Sequence, residues 1–141
     1  MKIRRVEARD RDAVFALVAS VLGEYGFSSP AERVARDVEH ADFWVAELEG
    51  EVVGTVAVRP KEGKTCELKR LYVSRAARGR GLGRALLAHA ESLARAAGYE
   101  KIWLDSSRRF VEARRLYEKN GFVLVEELDN DWCDNVYEKT L

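Results

Sequence analysis

The chain has 141 residues, about one domain's length, with 47% hydrophobic residues, two prolines and charges that sum to zero. That apolar content supports a real core and excludes a disordered chain, and zero net charge argues against general nucleic-acid binding. Cys66 and Cys133 are too few for a disulfide framework and lack metal-site spacing, so free thiols and a cytoplasmic protein are expected.

Taken in order, Lys2 to Glu7 reads as a short strand. Its charged start is unlike a signal peptide, and no apolar run in the chain approaches the ~20 residues that cross a membrane. From Asp10, the residues Val14, Leu17, Val18, Val21 and Leu22 recur at helical spacing, and Gly23 closes the pattern. Ser29-Pro30-Ala31-Glu32 has the form of a capping box and opens a helix to about His40. Phe43 to Leu48 and Val52 to Arg59 read as strands of a hairpin turned at Glu49-Gly50, and Pro60 to Lys64 as a loop. The next strand is clearest at Leu71-Tyr72-Val73 and runs into a basic, glycine-rich turn.

After that turn, Leu82, Leu86, Ala90, Leu93 and Ala97 form an apolar helix face, stopped at Gly98. Lys101 to Asp105 is a strand with Ile102 and Leu104 on one face and Trp103 on the other. Phe110, Ala113, Leu116 and Tyr117 form a second helical stripe ending at Asn120-Gly121. Phe122 to Val125 and Asn135 to Thr140 are terminal strands around an acidic segment. The order β-α-α-β-β-β-α-β-α-β-β predicts an α/β (α+β) mixed sheet carrying helices, as a single domain over residues 1–141.

The glycine-rich turn carries the chemistry. Gly79, Gly81 and Gly83 leave positions without a Cβ, where a ligand can approach the backbone. The first N–H groups of the helix point into the turn without intrahelical partners, and with the helix dipole they favour an anion, above all phosphate. Lys69, Arg70, Arg75, Arg78, Arg80 and Arg84 are cationic, and no acid occurs between Leu68 and Ala90. A dinucleotide fingerprint would need glycine where Arg84 stands, and the Gly-Lys-Ser/Thr of a P-loop is absent. On the turn alone, a phosphate cradle and a plain basic turn are level readings.

The pattern that is present, Arg78-x-x-Gly81-x-Gly83, resembles the acyl-CoA pyrophosphate loop of the GNAT superfamily of N-acetyltransferases. Leu116-Tyr117-x-x-x-Gly121-Phe122 resembles that family's helix-to-strand junction, and Val53-Gly54-Thr55 an element of its third strand. The specific likeness covers about Glu67 to Val125. It implies the GNAT fold, with a central sheet splayed between the fourth and fifth strands, and acetyl-CoA as acetyl-donor cosubstrate without a metal. The backbone of Leu71, Tyr72 and Val73 would then bind the pantetheine arm. The N–H groups of Arg78, Gly79, Arg80, Gly81, Leu82, Gly83 and Arg84 would cradle the pyrophosphate.

Acetyl transfer to an amine needs a base, because an ammonium cannot attack a thioester. Deprotonating an amine of pKa ~10.4 at pH 7 costs roughly 4.6 kcal/mol. The resemblance makes Glu67 the catalytic base, since histone-acetylating members carry a glutamate at the matching place; the other reading is a strand-end carboxylate paired with Lys69 or an arginine. It makes Tyr117 the acid for the leaving thiolate, against the reading of a core aromatic. Many relatives bind the cofactor arm through an Asn near the position of Phe110, so that contact is either absent or supplied by Ser106 or Ser107. Cys66 should face away from Glu67, His40 and His89 read as surface helix residues, and Trp44, Trp103 and Trp132 as packing residues.

The expected function is direct acetyl transfer from acetyl-CoA to a primary amine on a small molecule or peptide. The alternative is a non-catalytic acyl-CoA sensor or scaffold of the same fold. No nucleic-acid or membrane partner is expected, and the protein should be a monomer or homodimer. Glu126, Glu127, Asp129, Asp131 and Asp134 read either as a solvated loop or as a field that steers a cationic acceptor.

Overall fold

A computed structural model describes residues 1–141. The strands are β1 (Lys2–Arg5), β2 (Asp42–Leu48), β3 (Glu51–Glu62), β4 (Thr65–Val73), β5 (Lys101–Ser106), β6 (Val123–Glu127) and β7 (Asn135–Thr140). The helices are α1 (Arg11–Gly23), α2 (Ala31–His40), α3 (Leu82–Ala96) and α4 (Val111–Lys119), with single 3₁₀ turns at Ala8–Asp10 and Arg75–Ala77. The strands form a seven-stranded sheet in the order β1-β2-β3-β4-β5-β7-β6. Only β4 and β5 run parallel, and they pair only from Thr65–Lys101 to Glu67–Trp103 before separating.

Alternation along the strands divides the core in two. Val45 and Ala57 face α1 and α2, where they meet Val14, Val18, Leu22 and Val34. Their neighbours Ala46, Val56 and Val58 face α3 and α4, with Leu86, Leu87, Ala90, Ile102, Leu104 and Tyr117. Gly54 fixes how closely α3 approaches the sheet: a Cβ there would lie 2.8 Å from Leu86 Cδ1 and 3.1 Å from the Tyr72 carbonyl oxygen. The apolar face read on α1 is the one buried, whereas on α3 the buried stripe also takes in Leu87 and Ala94, Leu93 is half-buried and Ala97 is exposed.

Four local expectations change. Strand β1 stops at Arg5 rather than Glu7. Strand β3 runs through Pro60 to Glu62, where a loop was expected, and the turn is left to Gly63 and Lys64. Pro60 is tolerated because the ladder with β4 is irregular between Pro60 and Glu62, and such a bulge does not require its missing N–H. The expected capping box does not form: Pro30 takes the N-cap position, without a side-chain cap bond. Ser29 Oγ instead accepts bonds from both terminal nitrogens of Arg70, at 3.4 and 3.3 Å. A buried guanidinium left short of acceptors costs more than the ~1 kcal/mol of a helix cap, so the arginine takes the serine. Lastly, His89 is half-buried, with its ring centroid 4.2 Å from that of Trp44 and its Nε2 buried without a partner. Burial lowers its pKa.

Candidate functional site

The separation of β4 and β5 begins with a backbone irregularity. Arg70 takes φ +55°, and the β3–β4 register shifts between Thr55–Tyr72 and Ala57–Lys69. A left-handed arginine is strained unless its surroundings hold it. Thr55 Oγ1, fully buried, donates to the Arg70 carbonyl at 2.7 Å. Asp37 of α2 accepts from Arg70 Nε at 2.8 Å and from Lys69 Nζ at 3.2 Å. Burial pushes the Asp37 carboxyl up, but the Arg70 bond and the two positive charges outweigh it and hold the pKa below the ordinary value. The bulge is thus fixed from outside the strand, and beyond Glu67 the β5-facing edge of β4 has no strand partner.

The cleft that opens there has a volume of about 640 Å³. Leu71, Tyr72, Val73 and the turn residues Arg78, Gly79, Gly81, Leu82, Gly83 and Arg84 line one end of it. The N–H groups of Gly79, Arg80, Gly81, Leu82, Gly83 and Arg84 donate to no protein acceptor. Gly79 and Gly81 adopt φ +80° and +77°, which turns these N–H groups into a concave nest at the start of α3. Gly83 serves packing as well, since a Cβ there would lie 3.4 Å from Leu116 Cδ2. The Arg78 side chain is committed elsewhere. Its two terminal nitrogens each bond the Glu24 carboxylate at 2.7 Å, and its Nε donates to the Val73 carbonyl at 3.2 Å. Arg75, Arg80 and Arg84 form no ion pair, so they are the cations left for an anion at this end.

Tyr117 of α4 lines the middle of the cleft, with its ring packed against Phe122 and Tyr137. Burial, with Tyr72 and Tyr137 nearby, pushes its pKa up, so the hydroxyl keeps its proton at neutral pH. The ring belongs to the core, and the residue borders the cleft. Ser106 also lines the cleft, whereas Ser107 Oγ accepts the Arg109 N–H at 3.1 Å. Phe110 packs edge-on against Tyr25 and Phe27 and closes that wall of the cleft.

At the far end Glu67 is buried and lines the cleft, with Oε1 accepting Arg59 Nε at 2.8 Å. An arginine pairs with it, then, but from β3. Asp105, Arg33, Trp132 and Cys133 join it there, and these were not read as site residues from the sequence. Asp105 follows Trp103 on the face of β5 opposite Ile102 and Leu104, an alternation that could have flagged it. Burial and then the Glu67 charge raise its pKa, against Lys69 and Lys61. Cys133 is pushed up to about 11 by burial and by Asp105, so it stays a thiol. Cys66 lies buried on the opposite face, as expected, with its thiol also pushed up to about 11 by burial.

The acidic segment is elsewhere. Glu126, Glu127, Asp129 and Asp131 are exposed and line no part of the cleft. Asp134 is buried, accepting the Arg108 N–H at 2.8 Å and pairing with Arg108 Nε at 3.3 Å. What this segment contributes to the cleft is Trp132 and Cys133. Trp132 was expected as packing, but it is exposed and sits at the rim, with the Arg33 guanidinium 5.4 Å from its ring centroid.

A mixed sheet split beside a backbone anion nest, with a tyrosine between, suits an extended ligand that carries phosphate. The model of the acetyltransferase (GNAT) family matches residues 12–122, and the chain belongs to that family. It is an acetyltransferase. Among curated proteins it is 33% identical over 139 residues to "Uncharacterized N-acetyltransferase YjgM" of Escherichia coli (strain K12), covering 88% of this chain and 83% of that one. It is 41% identical over 81 residues to N-acetylaspartate synthetase of Homo sapiens, covering 57% of this chain. It spans only 27% of that protein, and about a third of other vertebrate relatives. Among solved structures, an acetyltransferase of the GNAT family from Staphylococcus aureus Mu50 superposes with TM-score 0.88 at 18% identity, covering 99% of this chain and 98% of that one. PaiA N-acetyltransferase from Thermoplasma acidophilum, in complex with coenzyme A, superposes with TM-score 0.83 at 19% identity, covering the same shares. At such identities these two likenesses concern the fold.

Proposed function

We propose that the protein transfers the acetyl group of acetyl-CoA directly to a primary amine, within one ternary complex. The observation that carries this reading is the row of unpartnered N–H groups from Gly79 to Arg84 beside the open edge of β4. The nest suits a pyrophosphate, and Arg80 and Arg84 add charge-assisted bonds. The backbone of Leu71, Tyr72 and Val73 pairs with the amides of the pantetheine arm as an added strand would, directing the thioester toward Tyr117.

Tyr117 then acts as the acid. Its hydroxyl is protonated at neutral pH, and the departing thiolate takes that proton. Glu67 acts at the amine end, where its carboxylate attracts the acceptor's ammonium and, through water or a neighbouring carboxylate, favours loss of its proton. Arg59 holds that carboxylate in place. Positioning the amine against the carbonyl supplies the rest of the rate enhancement. Residues 1–141 act as one catalytic domain.

The acidic segment suggested a cationic acceptor, but its carboxylates do not line the cleft, so any attraction they exert acts from outside it. The acceptor is therefore proposed only as a primary amine. The test has two measurements: calorimetry for acetyl-CoA, and release of free CoA across a panel of amines. Binding in the micromolar range with amine-dependent CoA release supports the enzyme. Binding with no release for any amine supports the sensor reading instead.

A further inference from the structure

The charged residues of the cleft are mostly spent on one another. Arg59 pairs with Glu67, Lys69 and Arg70 with Asp37, and Arg78 with Glu24. Two cations lining the cleft remain without a carboxylate partner. Arg84 stands at the nest, where the pyrophosphate belongs, and Arg33 stands at the opposite end beside Trp132. One carboxylate at that same end, Asp105, accepts no bond from any other residue. The Cys133 thiol lines the same cleft and feels the negative charge of Asp105 and the positive charge of Arg33.

From this arrangement we infer that the acceptor is an amine that also carries a carboxylate, an amino acid in the simplest case. Arg33 receives the carboxylate, and Asp105 receives the ammonium together with its proton. The inference rests on the acetyltransferase reading and sharpens its acceptor.

An unpaired cation and an unpaired anion facing one cleft match a dipolar ligand and leave a simple amine or a diamine with one charge unmatched. The guanidinium offers a planar fork that fits a carboxylate with two parallel bonds. Glu67 already spends one oxygen on Arg59, whereas Asp105 accepts only from its own backbone N–H. The groups that set the charge of Asp105 are Glu67 and Lys69 from β4, Lys61 from β3 and Cys133 from the final loop. Burial and Glu67 make Asp105 a better proton acceptor than a free aspartate, while Lys61 and Lys69 limit the effect. In the step itself the ammonium gives one proton to Asp105, and the amine nitrogen bonds the thioester carbon. The C–S bond then breaks, the thiolate takes the Tyr117 proton, and the amide nitrogen's second proton leaves to water. Asp105 and Tyr117 regain their starting states by exchange with solvent.

The test compares amino acids with their amides and with their decarboxylated amines, which keep the amine and lose the carboxylate charge. For the preferred amino acid, kcat/KM should exceed that of its amide by ~30-fold or more, as expected for a charged bond lost. Arg33→Gln should abolish most of that difference, mainly through KM, and Arg33→Lys should restore part of it. Asp105→Asn should lower kcat about 100-fold and remove the acidic limb of the pH profile, an effect that a structural role would not produce. Arg33 is exposed, so its variants should fold, and calorimetry with CoA checks that they do. The inference is overturned if amides and simple amines match the acids, if Arg33→Gln preserves the preference, or if no carboxylate-bearing amine turns over while CoA binds normally. Failure of CoA to bind the wild-type protein would instead remove the acetyltransferase reading beneath it.

Discussion

The two ends of the cleft are built in different ways. The nest end comes from one stretch of chain, Arg78 to Arg84, whose glycine conformations and helix start generate the anion site almost without outside help. The acceptor end is assembled from α2, β3, β4, β5 and the last loop, through Arg33, Arg59, Glu67, Asp105 and Trp132. A local device survives distant substitutions and depends on its own backbone. An assembled one depends on the contacts that bring its parts together, and the chief of these is the Asp37 pairing with Lys69 and Arg70.

That contrast predicts its own failures. The largest effect should come from Asp37→Ala, which leaves a buried guanidinium without its carboxylate and should cost about 3–5 kcal/mol. Thermal unfolding measures the loss, and calorimetry should show CoA affinity within a few-fold of wild type in the folded fraction. The same pairing sets an acid limit. A carboxyl whose folded pKa is depressed contributes stability above its unfolded value, near 3.9, and loses it as pH falls through the folded value. The gap in melting temperature between wild type and Asp37→Asn should therefore be full at pH 6 and narrow below about pH 4. A gap independent of pH would mean that the carboxylate charge does not hold the bulge.

The nest should break locally. Gly81→Glu forces a side chain into a left-handed conformation and adds a negative charge, so acetyl-CoA affinity should fall by ~100-fold or more. Gly81→Asn, which tolerates that conformation, should stay within about tenfold. If both variants bind CoA like wild type, the turn is not the phosphate site. Between the two ends, Tyr117→Phe should lower kcat by about 100-fold with acetyl-CoA affinity unchanged, since only the hydroxyl is lost. An equal loss in affinity would return Tyr117 to a purely packing role. The smallest effect should come from Asp129→Asn combined with Asp131→Asn. These carboxylates lie outside the cleft, so KM for the best acceptor should move by less than about twofold. A clear rise in KM, enlarged at low salt, would restore the acidic segment as an acceptor-steering field.

How far each region could be read in advance follows from the same contrast. Helix faces, strand alternation and the turn at Arg78–Gly83 express local rules, namely side-chain period, glycine freedom and the unpaired N–H groups of a helix start. They gave the element order and a candidate anion turn, and the motifs set on them gave the family by resemblance, before any tertiary contact was known. Where a local rule failed, a distant group had outbid it: Ser29 left the helix cap for Arg70, and His89 left the surface for Trp44. The expected base residue Glu67 does reach the cleft, yet its partner Arg59 was not one a strand-end reading could single out.

The sequence by itself determined the order of elements and the glycine turn, because each depends on residues within one or two turns of chain, while the split-sheet fold was legible only through the resemblance of its motifs to a family. Tertiary structure alone decided which charges are spent and which are free. Pairing is a contest among all charges within a few ångströms, and Asp37 and Lys69, or Arg33 and Trp132, become neighbours only once the sheet has brought distant segments together.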